Sequence, residues 1–77
     1  MIDRYNLSEA QLAINKDIME RFIKKLGSQV DVAKYFEVSR QCVYRWKKTG
    51  KIPLYAAKII ALHFNIDVKK IRPDIFG

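Results

Sequence analysis

Seventy-seven residues with 15 Lys plus Arg against 8 Asp plus Glu give a formal net charge of +7, leave room for one domain and exclude two. A chain of this size buries only about 60% of the surface its unfolded form exposes. Most of its 49% hydrophobic residues must therefore serve one small core, and little is left for an enclosed active site. The single cysteine, Cys42, excludes an intramolecular disulfide, and no run approaches the roughly 20 apolar residues of a membrane span. Near the N-terminus, Asp3, Glu9 and Asp17 stand among basic residues, which is not the layout of an export signal. A reduced, soluble, cytoplasmic protein is expected.

In chain order the sequence reads as helices with short joints, and neither a repeat nor a Gly/Ser linker interrupts it. Ser8 followed by Gln11 has the form of a capping box, and Ile14, Ile18, Phe22 and Leu26 recur every four residues, with Met19 and Ile23 beside them. This first helix ends at Gly27, a natural left-handed stop, and begins either at Ser8 or near Asn15. The expected division is an N-terminal extension over residues 1–16 and a folded domain over 17–77. Two short helices follow, Gln29 to Phe36 and Arg40 to Lys48, separated only by Glu37, Val38 and Ser39. Ser39 is a good N-cap and Gly50 a good stop. Pro53 suits the first turn of a fourth helix whose apolar face is Ala56, Ile59, Ile60, His63 and Phe64, with Asn65 ending it. Asp67 can cap one more turn through Ile71; the tail from Arg72 to Gly77 is expected to be non-helical, because Arg72 precedes Pro73.

The fold class expected is therefore all-α, with four to five small helices, and its second and third helices meet steeply across a three-residue turn. Ala33 is small where those helices approach, Val38 plugs the turn, and Val43 and Trp46 pack the third helix inward. That leaves Gln41, Tyr44, Arg45 and Lys48 at i, i+3, i+4 and i+7 on its outer face, with Arg40 at its start. From Arg40 to Lys51 there are five basic residues and no acidic one, so this stretch supplies +5 of the +7. A basic helix interleaved with Tyr44 and Trp46 points to a polyanion, of which nucleic acid is the commonest.

Roles follow from side-chain chemistry. Arg45 can donate a fork of hydrogen bonds to guanine O6 and N7, and Gln41 can pair with adenine N6 and N7. Tyr44 can meet a thymine methyl or a phosphate, and Arg40 can read a base or hold a phosphate. Lys47, Lys48 and Lys51 suit the backbone as point charges, and Ser39 and Gln29, at the starts of two helices, suit phosphates as well. The base-contact set is thus Arg40, Gln41, Tyr44 and Arg45; the phosphate set is Gln29, Ser39, Lys47, Lys48 and Lys51.

The pattern resembles the lambda-repressor/Cro-like helix-turn-helix regulators, especially small phage Cro proteins and YdaS-type antitoxin-like regulators. The matching residues are Gln29, Ala33, Val38, Ser39, Val43 and Trp46, then Gly50-Lys51-Ile52-Pro53 and the Ile71-Arg72-Pro73-Asp74-Ile75-Phe76 tail, over about residues 17 to 76. The resemblance implies a repressor in a bacterial or phage-infected cell that binds double-stranded DNA in the major groove, often as a homodimer on an inverted repeat. Two positions depart from the family pattern. Glu37 stands where the turn often has Gly, and Phe76 where Trp is frequent.

Two other readings compete. One is an antitoxin or adaptor whose main partner is a protein, bound through Ile2, Tyr5, Leu7 and Leu12 or through Ile75 and Phe76. The other is a winged helix, against which Leu54 to Phe64 reads as a helix instead of a two-stranded wing. One Cys and one His supply no normal metal-ligand set, and no glycine loop or nucleophile motif suggests catalysis or a cofactor. His63, Tyr35, Tyr55 and Phe64 are expected to be packed or core-edge aromatics.

Overall fold

The computed structural model describes residues 6–76, the side chain of Phe76 excepted. The chain is all-helical: α1 (Glu9–Leu26), α2 (Gln29–Phe36), α3 (Arg40–Thr49), α4 (Leu54–Phe64), a 3-10 turn at Val68–Lys70, and α5 (Pro73–Phe76). No strand occurs among the described residues, and α4 occupies the stretch where a winged helix requires a strand pair.

Ser8 starts α1 by accepting a hydrogen bond at its Oγ from the Gln11 N–H (3.1 Å), so the longer of the two expected helices forms. The boundary expected after residue 16 falls inside α1, which runs across it without a break. Its buried face is Asn15, Met19 and Phe22, with Ile18, Ile23 and Leu26 packed alongside. Ile14, expected to begin the apolar stripe, is instead 50% exposed. At 3.6 residues per turn a strict four-residue spacing drifts by about 40° per step, so Ile14 lies about 80° from Phe22 and Asn15 only about 20°. The inward position goes to the polar residue.

Gly27 ends α1 at φ 123°, ψ −52°, outside the left-handed helical region expected for it but still at a positive φ that side chains rarely adopt. Ser28 then caps α2 through Oγ, accepting from the Asp31 N–H (3.2 Å). Helices α2 and α4 end alike. Glu37 and Asn65 are left-handed, at φ 57° and 54°, and the following N–H groups of Val38 and Ile66 donate five residues back to the carbonyls of Ala33 (2.9 Å) and Ala61 (3.0 Å). Two otherwise orphaned ends are thereby closed. Pro53 lies just before α4, as its N-cap, and the helix begins at Leu54.

The core is formed by Met19, Phe22, Val32, Val43, Trp46, Ile52, Ile60 and Ile71, with alanines at positions 33, 56, 57 and 61 where helices approach closely. Phe22 is the hub of an aromatic cluster, edge-to-face with His63 at 5.1 Å and with Tyr35 and Phe64 at 6.2 Å between ring centroids, and tilted against Phe36 at 5.9 Å. Trp46 joins through Phe36 at 5.6 Å and Tyr55 at 6.1 Å. Such pairs each add about 0.5–1.5 kcal/mol beyond area burial. Tyr35 and Tyr55 sit at the cluster's edge, half-exposed, and the Tyr35 hydroxyl shares a 3.0 Å hydrogen bond with His63 Nε2.

Two buried polar side chains fasten the far end of the bundle. Asn15 Nδ2 donates to the carbonyls of Gly50 (2.9 Å) and Ile71 (3.0 Å), and its Oδ1 accepts from Gln11 Nε2 (2.9 Å). Arg72 is fully buried; it forks onto Asp74, Nε to Oδ1 at 3.0 Å and Nη2 to Oδ2 at 2.9 Å, and its Nη1 donates to the Ile52 carbonyl at 3.0 Å. The tail, expected to be non-helical, instead closes with the one-turn α5, because Pro73 is preset for a first helical position and Asp74 complements a helix N-terminus. Asp74 also accepts from the Asn6 N–H (3.2 Å). Of the surfaces expected for a protein partner, Ile2 and Tyr5 lie outside the described residues, as does the Phe76 side chain; Leu7 and Leu12 are half-buried and Ile75 is exposed.

Asn15→Ala removes buried hydrogen bonds to the Gly50 and Ile71 carbonyls and is expected to cost about 2 to 4 kcal/mol in urea unfolding. A pH effect follows from Asp74, whose carboxyl is held below its ordinary 3.8 chiefly by the Arg72 hydrogen bonds, against burial that pushes it up. Because protonation then favours the unfolded chain, the stabilisation is present above about pH 4 and is lost as pH falls further. Unfolding midpoints across that acid range should decline, and Asp74→Asn should flatten the decline while lowering stability at neutral pH.

Candidate nucleic-acid interface

Helix α3 divides cleanly between two environments. Val43 and Trp46 are buried, Cys42 is half-buried, and Arg40, Gln41, Tyr44, Arg45 and Lys48 are exposed. Both ends are fixed locally. Ser39 Oγ accepts from the Cys42 N–H (3.2 Å), and at the other end the Gly50 N–H donates to Trp46 O (2.8 Å) while Thr49 Oγ1 donates to Arg45 O (2.7 Å). Gly50 is required twice over: its φ is 76°, and a Cβ there would collide with the Leu12 carbonyl of α1. Helix α1 therefore presses directly on the point where α3 stops.

The starts of α2 and α3 flank an open cleft. Ser28, Gln29 and Val30 line one side; Ser39, Arg40, Gln41 and Tyr44 line the other. Five of the nine residues expected at the interface, Gln29, Ser39, Arg40, Gln41 and Tyr44, are thus gathered around one concavity. The first turn of α3 holds no acidic side chain. Arg45 and Lys48 continue the exposed face along α3, and the Lys48 ammonium stands 5.7 Å from the centre of the Tyr44 ring, a cation–π distance that holds both side chains over the same stretch of surface. Lys51 is exposed just beyond the helix.

Lys47 departs from this grouping. It is half-buried and lines a separate hollow with Glu20, Ile23 and Lys24 of α1. One position along a helix turns a side chain by about 100°, which takes Lys47 off the face shared by Tyr44 and Lys48. Ser28 and Val30 belong to the cleft without having been singled out in the sequence. The Ser-x-x-Asp spacing of Ser28 and Asp31 is the signal that finds the first, since it marks a helix start; Val30 carries none. The Ser28 hydroxyl also donates to Asp31 Oδ2 (2.9 Å), so the Asp31 carboxylate is tied to the cap at the start of α2.

The arrangement presents cationic and amide side chains on a convex helix, beside a second helix whose first N–H groups have no intrahelical acceptor. That geometry suits a polyanion with readable edges. Among the described residues, no group of three or more His, Cys, Asp or Glu gathers as metal ligands, and no helix is long and apolar enough to cross a membrane. Strain is stored at one point of the turn, where Glu37 is left-handed at a cost of about 1 kcal/mol. Glu37→Gly should relieve it, less the chain entropy that glycine adds to the unfolded state. A net gain of roughly 0.5 kcal/mol is expected in thermal or urea unfolding. Comparison with known proteins finds no matching family model, no matching curated protein and no matching solved structure.

Proposed function

We propose that this chain is a sequence-specific double-stranded DNA-binding transcriptional regulator, most simply a Cro-type repressor that occludes a promoter as a homodimer on an inverted repeat. The observation that carries the reading is the exposed face of α3: Arg40, Gln41, Tyr44, Arg45 and Lys48 on a helix capped at both ends, with no acidic residue in its first turn. An α-helix fits the major groove, whose base edges offer the acceptor and donor pairs that Arg and Gln side chains match.

In this reading Arg45 and Gln41 read bases, and Arg40 and Tyr44 complete the contact to base edges. Lys48 and Lys51 hold phosphates on one flank, while Gln29 and Ser39 hold them across the cleft at the helix starts. Lys47 serves the backbone only from its position beside α1. Two such helices in a dimer would sit about one helical turn of DNA apart, roughly 34 Å. The resemblance to Cro-like regulators supports the same assignment, and in this reading the protein acts in the cytoplasm, with the nucleoid.

The test separates reading from holding. On a duplex carrying the preferred half-site, Arg45→Ala should lose about 1 to 3 kcal/mol, roughly 5- to 150-fold, and lose little on a scrambled duplex. Lys48→Ala should weaken both duplexes alike and lower the slope of log K against log salt by about 0.9. Equal binding and unchanged preference after Arg45→Ala would remove the residue from the reading set. Unchanged preference after both Arg45→Ala and Gln41→Ala would overturn the assignment of α3.

A further inference from the structure

The cleft between the starts of α2 and α3 is lined by polar and charged side chains with two exceptions, Val30 and the ring of Tyr44. Val30 is 37% exposed and belongs neither to the core nor to the hydrophobic side chains packed against it. A lone apolar side chain in water is ordinary. This one stands in the wall of a cleft built of amides, hydroxyls and a guanidinium, and the fold does not need it there. Alanine would suit the same helix position better, because a β-branched side chain loses rotamer freedom in a helix.

The surroundings keep Val30 open to a ligand. Its neighbour Asp31 has its carboxylate drawn back to the Ser28 hydroxyl (2.9 Å) and does not line the cleft. On the opposite wall the Lys48 ammonium stands 5.7 Å from the centre of the Tyr44 ring and steadies it. Val30 and Tyr44 thus place an apolar surface on each side of one concavity, with Gln41 beside them.

We infer that Val30, with the Tyr44 ring opposite it, receives the C5-methyl of a thymine at or beside the base pair that Gln41 reads. Helix α2 then selects a base as well as holding phosphates. The inference rests on the proposed DNA contact and names one base within it. Thymine alone carries an apolar group on its major-groove edge, and a side chain with neither donor nor acceptor reads nothing else there. Position favours the methyl too. It lies on the side of the pyrimidine nearest its own backbone, so a helix whose first residue, Gln29, holds a phosphate meets it before the O4. Cytosine presents only hydrogen at C5 and would leave the notch unfilled. Burying one methyl changes affinity about 4-fold. That is less than a bidentate contact supplies, but it is confined to one base position.

The experiment uses the full chain, its Val30→Ala variant, and duplexes carrying a half-site selected from a randomised pool, with deoxyuridine replacing one thymine at a time. That exchange removes one methyl and keeps every hydrogen-bonding group of the base pair. At one thymine of the half-site it should weaken wild-type binding about 4-fold and leave binding by Val30→Ala unchanged. The variant should bind the thymine duplex about 4-fold more weakly than the wild type does, and the uracil duplex equally well. Its unfolding midpoint should not fall, since Val30 lies outside the core. An exchange that costs nothing at any thymine, or costs both proteins the same, overturns the role of Val30. The DNA reading survives that result as long as Arg45→Ala still erases the sequence preference. If the pool yields no preferred sequence, the DNA reading fails and the thymine contact fails with it.

Discussion

The buried amide of Asn15 holds two carbonyls from distant segments: that of Gly50, where α3 stops, and that of Ile71, where the C-terminal segment returns to the core. Beside it the Arg72 guanidinium binds the Ile52 carbonyl and grips Asp74. Together they join the first helix, the turn after the third and the end of the chain into one polar clasp. Buried polar groups of this kind are costly unless paired, so the clasp forms only in the register that pairs them. Since α1 also touches Gly50 at the Leu12 carbonyl, the end of α3 is fixed by backbone contact as well as by hydrogen bonds.

What the clasp does at one end of α3, the capped turn does at the other. Val38 donates back to Ala33, Ser39 caps the helix, and Phe36 stacks edge-on against Trp46. The helix is therefore held along its inward side and at both termini, and its outward side has little structural work. A face left out of the core can be composed for a partner, and this one is cationic, amide-bearing and aromatic. The proposed contact with DNA needs such rigidity, because bidentate pairing with a base edge tolerates little displacement.

Much of this was legible in the residues. Ser39, Gly50, Val43 and Trp46 specify α3 and its inward side because each answers a local rule, and the charge run announces the outer face. The clasp was hidden for a physical reason: Asn and Arg are ordinarily surface residues, and only tertiary carbonyls arriving from distant segments make their burial favourable. The four-residue stripe through Ile14 misled for the opposite reason, since an apolar residue drifting off the face remains apolar. Lys47 looked like one charge among several; its placement beside α1 depends on the helical phase and on how closely α1 packs against α3. The short α5 escaped a rule about residues before proline that constrains Arg72 but leaves Pro73 free to begin a helix.

The most direct measurement of the central claim, that α3 reads DNA sequence, is selection of bound duplexes from a randomised pool at near-physiological salt, where contacts to phosphate alone are suppressed. Enrichment of an inverted repeat whose half-sites carry guanine and adenine steps suited to Arg45 and Gln41 is the predicted result. Binding at low salt with no sequence enriched would contradict it, leaving α3 as an electrostatic patch.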